Sequence, residues 1–424
     1  MRIVAAEHKV SYDRINRKVG GIRVTERLYY DDAYLLRFEA VVTASRTEGG
    51  NWIALDRTAF YPTSGGQPYD TGEIRWEGES TRVLDVLADR DGIIWHRTER
   101  LIPPGTMATG IIDADRRTDH MEQHGGEHML AGAIWEKLGG TTIGLHLGAE
   151  DSSIDVSMPD GRTHLTDDEL EMLESLVNRR IRQDAPIRCW FPSQEELSRL
   201  PLRKKPTVSE HVRIVAMGDF EMVACGGTHP RSTGRIGLLK IISAMPSKGK
   251  IRITFVCGGR AEALFARTFR YAHKAGNVLS CPVEKLASRA GELKAKLAET
   301  ERRANRFETE RIYQAICEHE ETESLQDAAL SLTFLEESDS RPVNEAVSRY
   351  ISKDGRALLL SVGERLIFAR SRDVDIDMNE LIKRVARGGG RIDLASGAGI
   401  PQCASVAKKI LVTEGKNRKW RKKI

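Results

Sequence analysis

The sequence contains no apolar run near the eighteen or so residues that a membrane span requires. Its first stretch, MRIVAAEHKVSYDRINRKVGG, has no apolar h-region and does not read as a secretory signal. Cysteine is sparse: Cys189, Cys225, Cys257, Cys281, Cys317 and Cys403 stand singly among 424 residues, with no framework spacing. That excludes a disulfide scaffold and fits a reducing cytoplasm, where single cysteines are metal ligands or core residues. An excess of one charge is also missing. The 65 basic and 61 acidic residues leave a net +4, so any case for nucleic acid must rest on local patches.

What is present is a soluble globular balance, 40% hydrophobic and 30% charged, on a chain long enough for more than one core. Residues 1–23 are polar and basic and are expected to form an N-terminal extension. Over 24–102, short runs such as YLLRFEAVVTAS, NWIALDRTAF, TGEIRW and TRVLDVLA alternate with turn residues, which predicts a small β-barrel. LIPPGT is the expected hinge after it.

Residues 103–260 predict a central α+β domain. One helix carries Met121, Met129, Leu130, Ala133, Ile134 and Leu138 at helical spacing and stops at Gly139-Gly140. A second begins at Thr166, a predicted N-cap, with acids in its first turn and arginines in its last. SSIDVSM, HVRIVAMG, RIGLLKIISAM and KIRITFVC are the expected strands.

From 261 to 322 the chain predicts a helical, coiled-coil-like linker. Leu286, Ala290, Leu293, Leu297, Thr300, Ala304 and Phe307 alternate spacings of four and three. Over 283–307 this seam serves either packing within the chain or a homodimer. Residues 323–424 predict a small α/β domain containing RGGGRIDLASGAG and ending in the basic tail KNRKWRKKI. The fold class is thus multidomain α+β.

The chemistry concentrates in two short segments. In DHMEQHGGEHML, His124 and His128 stand four apart on a predicted helix and project from one face. His120 shares that stripe, but eight residues of helix span about 12 Å, too far for three histidines to share one ion. In ACGGTHP, Cys225 and His229 are also four apart, on a glycine turn that can aim both one way. Three imidazoles and a thiolate suit a single Zn²⁺. An inverted zinc-peptidase motif is the rival reading. It takes His124 and His128 as ligands, Glu127 as general base and a downstream carboxylate such as Glu210 as third ligand. It gives CGGTH no task. A third segment, FYPTSGGQPYDTG, joins two predicted strands, and its Gln67 offers both a donor and an acceptor.

FYPTSGGQ, HGGEH and CGGTH occur in that order, followed by Thr233-Gly234-Arg235-Ile236-Gly237 and FVCGGRA. In these motifs, over residues 24 to about 400, the chain resembles the alanyl-tRNA editing proteins and the editing domain of alanyl-tRNA synthetase. The GGGRIDLASGAG segment resembles the DHH-associated C-terminal domain, so the long, freestanding form is the best match. No aminoacylation module precedes the barrel, so a complete synthetase is not expected.

The resemblance implies a zinc-dependent trans-editing hydrolase that deacylates Ser-tRNA(Ala), with Gly-tRNA(Ala) as a second substrate, and spares Ala-tRNA(Ala). A non-catalytic tRNA-binding module is the alternative. The ligands would be His124, His128, Cys225 and His229. Gln67 would orient water or the seryl group, and Thr58 would contact the seryl hydroxyl. Glu127 would be either a partner of the metal ligands or, as the preferred reading, a residue of the helix surface. Contacts to tRNA would come from Arg391 and from Lys419, Trp420 and Arg421 of the tail, with RRIR (179–182) and RKK (203–205) as further patches.

Overall fold

A computed structural model of the chain describes residues 18–19, 22–206, 211–325 and 328–415. Lys419, Trp420, Arg421 and Glu210 lie outside these residues. The chain divides into two compact units, residues 1–271 and 272–424.

The first unit opens with a closed six-stranded barrel: β1 (Arg37–Arg46), β2 (Asn51–Leu55), β3 (Gly72–Trp76), β4 (Glu79–Ala88), β5 (Ile94–Thr98) and β6 (Met107–Ile112). Alternation builds it. In β1 every second residue from Phe38 to Val42 is buried, and in β6 Ala108, Gly110 and Ile112 are. Phe38, Val42, Ile53, Leu55, Phe60, Ile74 and Ile94 fill the interior.

The barrel runs past the expected boundary at residue 102. β6 pairs antiparallel with both β1 and β3 and so closes the ring. LIPPGT is correspondingly a turn within the barrel. Ile102 is buried, Thr106 N donates to Pro103 O at 3.3 Å, and Gly105 N donates to Val42 O at 2.8 Å. The two prolines end regular pairing, but the chain folds straight back to the sheet.

The helix α1 (Ala114–Leu138) follows directly. The Asp113 side chain caps its start by accepting from Arg116 N, and Gly139 ends it at φ 66°. Next come β7 (Thr141–Leu147), β8 (Ser152–Ser157) and α2 (Asp167–Arg182). The last of these starts with the expected cap at Thr166, closed into a capping box by Glu169. The strands β9 (Ile187–Trp190), β10 (Ile214–Met217) and β11 (Glu221–Ala224) form one antiparallel sheet. The pair β12 (Leu239–Ser247) and β13 (Lys250–Cys257) joins β7 and β8 in another, ordered β7-β8-β13-β12. Both helices bury their apolar residues in this region: Met129, Leu130 and Ile134 from α1 and Leu173 and Val177 from α2 pack with Ile154, Ile253 and Phe255.

Helix α1 is enclosed along most of its length, so its polar residues need partners inside the protein. Arg117 and Asp70 form an ion pair with both side chains fully buried. Arg117 also donates at 2.6 Å to the carbonyls of Ala33 and Ala59, and Tyr61 N donates to Asp70 at 2.6 Å. Further along, Gln123 pairs with the backbone of Cys257, donating to its carbonyl and accepting from its N–H. The glycines beside the ligand histidines serve the same enclosure. A Cβ on Gly126 would lie 2.1 Å from the Cys257 sulfur.

Helix α3 (Gly258–Leu279) crosses the division between units. In the second unit, α4 (Leu286–Glu318) is one continuous helix. Its last turns bury Ile312, Tyr313 and Ile316 against α5 (Ser340–Ile351), whereas Leu297 and Phe307 of the heptad seam are 60% and 72% exposed. The sheet has six strands, with helices on both faces as an α/β domain requires. One pair within it, Ala328–Leu335 with Arg356–Val362, is parallel. Arg387–Gly390 is an edge strand of that sheet and pairs with Leu394–Ala398. Arg391 sits at the turn between them, exposed, with Asp393 at 3.1 Å. No described helix is long and apolar enough to cross a membrane.

Candidate metal centre

The two halves of the ligand set meet. His124 and His128 project from α1, and Cys225 and His229 from the loop after β11. Their ligand atoms all lie within 4.8 Å of one another, and the four form a group with no carboxylate in it. The Cys225 sulfur is 3.4 Å from His124 Nε2 and 3.3 Å from His229 Nε2. The imidazole centroids are 4.4 to 5.0 Å apart.

The chemistry of this group fits a soft or borderline cation. Burial drives all three imidazoles toward the neutral form that ligates, and Arg213 adds to the effect; His124 is lowered to about 3. Nδ1 of His128 and Nδ1 of His229 are buried without a hydrogen-bond partner among the described residues. Burial raises the Cys225 thiol to about 12, against a weaker opposing hydrogen bond from Gly227 N. A bound cation would invert that preference and hold the thiolate.

Gln67 is the unexpected part. It is fully buried and faces protein rather than open solvent. Its Oε1 lies 2.9 Å from His124 Nδ1 and 3.1 Å from Thr228 N, and its Nε2 donates to Thr228 Oγ1 at 2.8 Å. The backbone N–H of Thr228 fixes the amide orientation, because it needs an acceptor. An accepting Oε1 then requires a proton on His124 Nδ1, which leaves Nε2 as the lone-pair donor beside Cys225. Gln67 is therefore placed to orient a ligand histidine rather than to touch water or a seryl group. The geometry also demands Gly227, where a Cβ would lie 2.2 Å from the His124 ring. Replacing Gln67 with alanine is expected to weaken metal binding about 10- to 100-fold. Competition with a chromogenic chelator would measure this, and unchanged affinity would remove the orienting role.

Thr58 is also fully buried. Its hydroxyl lies 2.9 Å from His96 Nε2 and accepts from Phe60 N at 3.1 Å. Burial lowers His96 to about 4, so the ring is neutral. The Thr58 hydroxyl is committed to the barrel interior.

His120 is buried but stands outside the ligand group, as the helix pitch requires. Glu127 is not on the surface. It is 7% exposed, with Oε2 3.8 Å from His128 Nε2, and burial raises its carboxyl to about 7. The surface alternative fails because the face of α1 that carries Glu127 is covered too. Among the described residues the group holds no carboxylate, and Glu210, the third ligand of the peptidase reading, lies outside them.

The basic patches divide. Arg180 of RRIR is nearly buried and paired with Glu136, and Arg203 of RKK makes a buried pair with Glu221 at 2.8 Å. Lys204 and Lys205 are exposed. Arg213, which sequence reading missed, donates to the carbonyls of Cys225 at 3.1 Å and Gly227 at 2.9 Å and so shapes the CGG turn. Its only sequence signal is a charge inside the strand-like run HVRIVAMG.

Residues 6–116 match the family described as tRNA synthetases class II (A), and residues 212–254 match the second additional domain of threonyl and alanyl tRNA synthetases. The chain is 33% identical over 389 residues to an alanine–tRNA ligase of Pyrococcus abyssi, covering 88% of this chain and 42% of the relative. It is 31% identical over 397 residues to the ligase of Archaeoglobus fulgidus, with coverages of 88% and 42%. It is 29% identical over 393 residues to the alanyl-tRNA editing protein AlaX-L of Pyrococcus horikoshii, covering 88% of this chain and 94% of that protein. The chain thus spans less than half the length of the synthetases it matches.

Proposed function

The chain belongs to the family that joins alanyl-tRNA editing proteins with the corresponding part of alanyl-tRNA synthetases, and on that premise we propose that it hydrolyses the ester of Ser-tRNA(Ala) while sparing Ala-tRNA(Ala). One observation carries the reading. SGGQ, HGGEH and CGGTH converge on a single buried cluster, with Gln67 bonded to His124 and Thr228. We take this convergence of three motifs on one cluster as the mark of the reaction centre.

The need for such an activity is physical. A site selecting alanine discriminates only about 10²-fold against serine, which merely adds a hydroxyl. A second site built to bond that hydroxyl rejects alanine, because its own polar groups stay unpaired. Glycine esters are the expected second substrate.

His124, His128, Cys225 and His229 would hold one Zn²⁺, which when bound polarises an ester carbonyl or a water. The chain's own residues prepare the place. Gln67 sets the His124 tautomer, Arg213 holds the Cys225–Gly227 turn, and burial keeps the imidazoles neutral. Cys225 is the ligand that faces an open cleft. Binding to tRNA through Arg391 and the basic tail belongs to the same reading. So does self-association through 283–307, which the exposure of Leu297 and Phe307 supports.

Metal-replete protein is expected to release serine from Ser-tRNA(Ala) and to leave Ala-tRNA(Ala) charged. A chelator should abolish release and added Zn²⁺ restore it, as followed by loss of acid-precipitable labelled amino acid. Release of alanine as fast as serine, or no release of either, would sink the reading.

A further inference from the structure

Glu127 stands beside the ligand cluster with no counter-charge of its own. Its side chain is 9% exposed, and its Oε2 lies 3.8 Å from Nε2 of His128. That separation is too long for a hydrogen bond. Among the described residues no donor reaches the carboxylate, and no lysine or arginine nitrogen lies within 4.0 Å of it. Arg203, whose charge acts on it, is committed to Glu221 at 2.8 and 2.9 Å and to Thr142 at 3.1 Å. A buried carboxylate in this position is costly unless a cation compensates it. Glu127 is also the one described carboxylate within 4.0 Å of a ligand nitrogen, yet it stays outside the four-residue group.

The charges of the centre give this residue a task. Three imidazoles bind as neutral ligands, so the Cys225 thiolate cancels only one of the two charges of a divalent cation. The Arg213 guanidinium, which donates to the carbonyls of Cys225 and Gly227, brings a further positive charge to the same turn. A second anion is then favoured, and strongly so where water is scarce. Glu127 is close enough to Cys225 for negative charges on the two to oppose each other, and a dication in the cluster satisfies both. We propose that Glu127 is the counter-charge of the metal centre: it stays outside the coordination sphere, offsets the second charge of a divalent cation, and so sets the preference of the site for divalent over monovalent soft ions. The assignment rests on the proposed metal reading of the cluster. It makes Glu127 a positioning residue that acts on the ion through its field and not through a bond.

Two ions of unlike charge separate this role from a structural one. Zn²⁺ carries two charges. Cu⁺ shares its preference for thiolate and imidazole but carries one, which the thiolate cancels alone. In full-length, metal-stripped protein, E127Q is expected to bind Zn²⁺ about 10- to 100-fold more weakly than the parent, by competition with a chromogenic chelator. Its affinity for Cu⁺, measured without air against a copper(I) chelator, should stay within about threefold. E127D keeps the charge on a shorter arm and should recover part of the Zn²⁺ affinity. Co²⁺-loaded E127Q should keep the visible absorption bands of the parent, because the four ligands are unchanged. Metal-free E127Q should unfold at or above the parent's temperature, since it loses a buried charge that no residue pairs.

Zn²⁺ affinity within twofold of the parent would overturn the proposal. Equal losses of Zn²⁺ and Cu⁺ affinity would overturn it as well, because a structural defect weakens both. A changed Co²⁺ spectrum would put Glu127 inside the coordination sphere, and a lowered metal-free midpoint would show that the protein itself compensates the charge; either result refutes the role. A parent that binds no divalent cation would remove the ligand set and this proposal together. Zn²⁺ binding that depends on Glu127 in protein that releases no serine would refute the editing activity and leave the counter-charge standing.

Discussion

Protein carrying Cys225→Ala or His128→Ala is expected to lose bound metal and to fall about 10³-fold or more in deacylation of Ser-tRNA(Ala). The size follows from what the ion would contribute. Lewis-acid stabilisation is worth several kcal/mol, and each 1.36 kcal/mol is a tenfold change in rate. The two residues fail for different reasons. Cys225 is the one ligand that must lose a proton. Buried as it is, its thiol is held at about 12 until a cation is present, so cluster and cation depend on each other. His128 is neutral already because burial depresses it, and its replacement leaves a void as well as an open position. Both variants should keep the circular-dichroism signature of the parent. Metal per chain, measured by atomic emission, should drop from about one to near zero. Full metal content in Cys225→Ala would remove this ligand set. Full activity with no metal would remove the ion from the chemistry.

Much of this site was legible in the sequence. The i, i+4 histidines on a helix and the Cys225–His229 turn each pointed to a ligand pair, and the structure brings the pairs together. The helix caps at Thr166 and Gly139 were legible for the same reason, since each depends on local chemistry.

What escaped was long-range. DADRRTDHMEQHGGEH reads as a helix with a wet face, yet most of it is covered, and several of its polar residues turn inward to partners. Arg117 meets Asp70, Gln123 meets Cys257, and Glu127 is buried beside His128. The hydrogen bond of Gln67 to Thr228 has no local signal, because the two are 161 residues apart. The barrel boundary was set at a pair of prolines that stop pairing locally, but strand closure at 107–112 is decided by the whole ring. Arg117 did leave a trace: it lies seven residues before His124, on the same helical stripe.

That pair gives the other large expected effect. Arg117→Ala or Asp70→Ala should each destabilise the first unit by about 3–5 kcal/mol, because either leaves a charge buried without its partner. Both side chains are fully buried. The loss of Arg117 also strips donors from the carbonyls of Ala33 and Ala59, and the loss of Asp70 strips the acceptor from Tyr61 N. Unsatisfied groups of this kind cost about 1–3 kcal/mol apiece. The double replacement R117M/D70N removes both charges while nearly keeping the volume. It should be more stable than either single variant, though still below the parent, because the carbonyls of Ala33 and Ala59 remain unpaired.

The consequence reaches the metal centre through the chain itself. Asp70 follows Gln67 by three residues, and Arg117 precedes His124 on α1, so the ion pair clamps the two segments that Gln67 and His124 must bridge. Slackening the clamp should therefore weaken metal binding as well as folding. Unfolding midpoints measured with and without metal separate the two, since a ligand that binds only the native state adds stability in proportion to its affinity. A single variant with an unshifted metal-free midpoint would show that the pair contributes nothing to the fold. A shifted midpoint with parental metal affinity would confine its role to packing the barrel against α1.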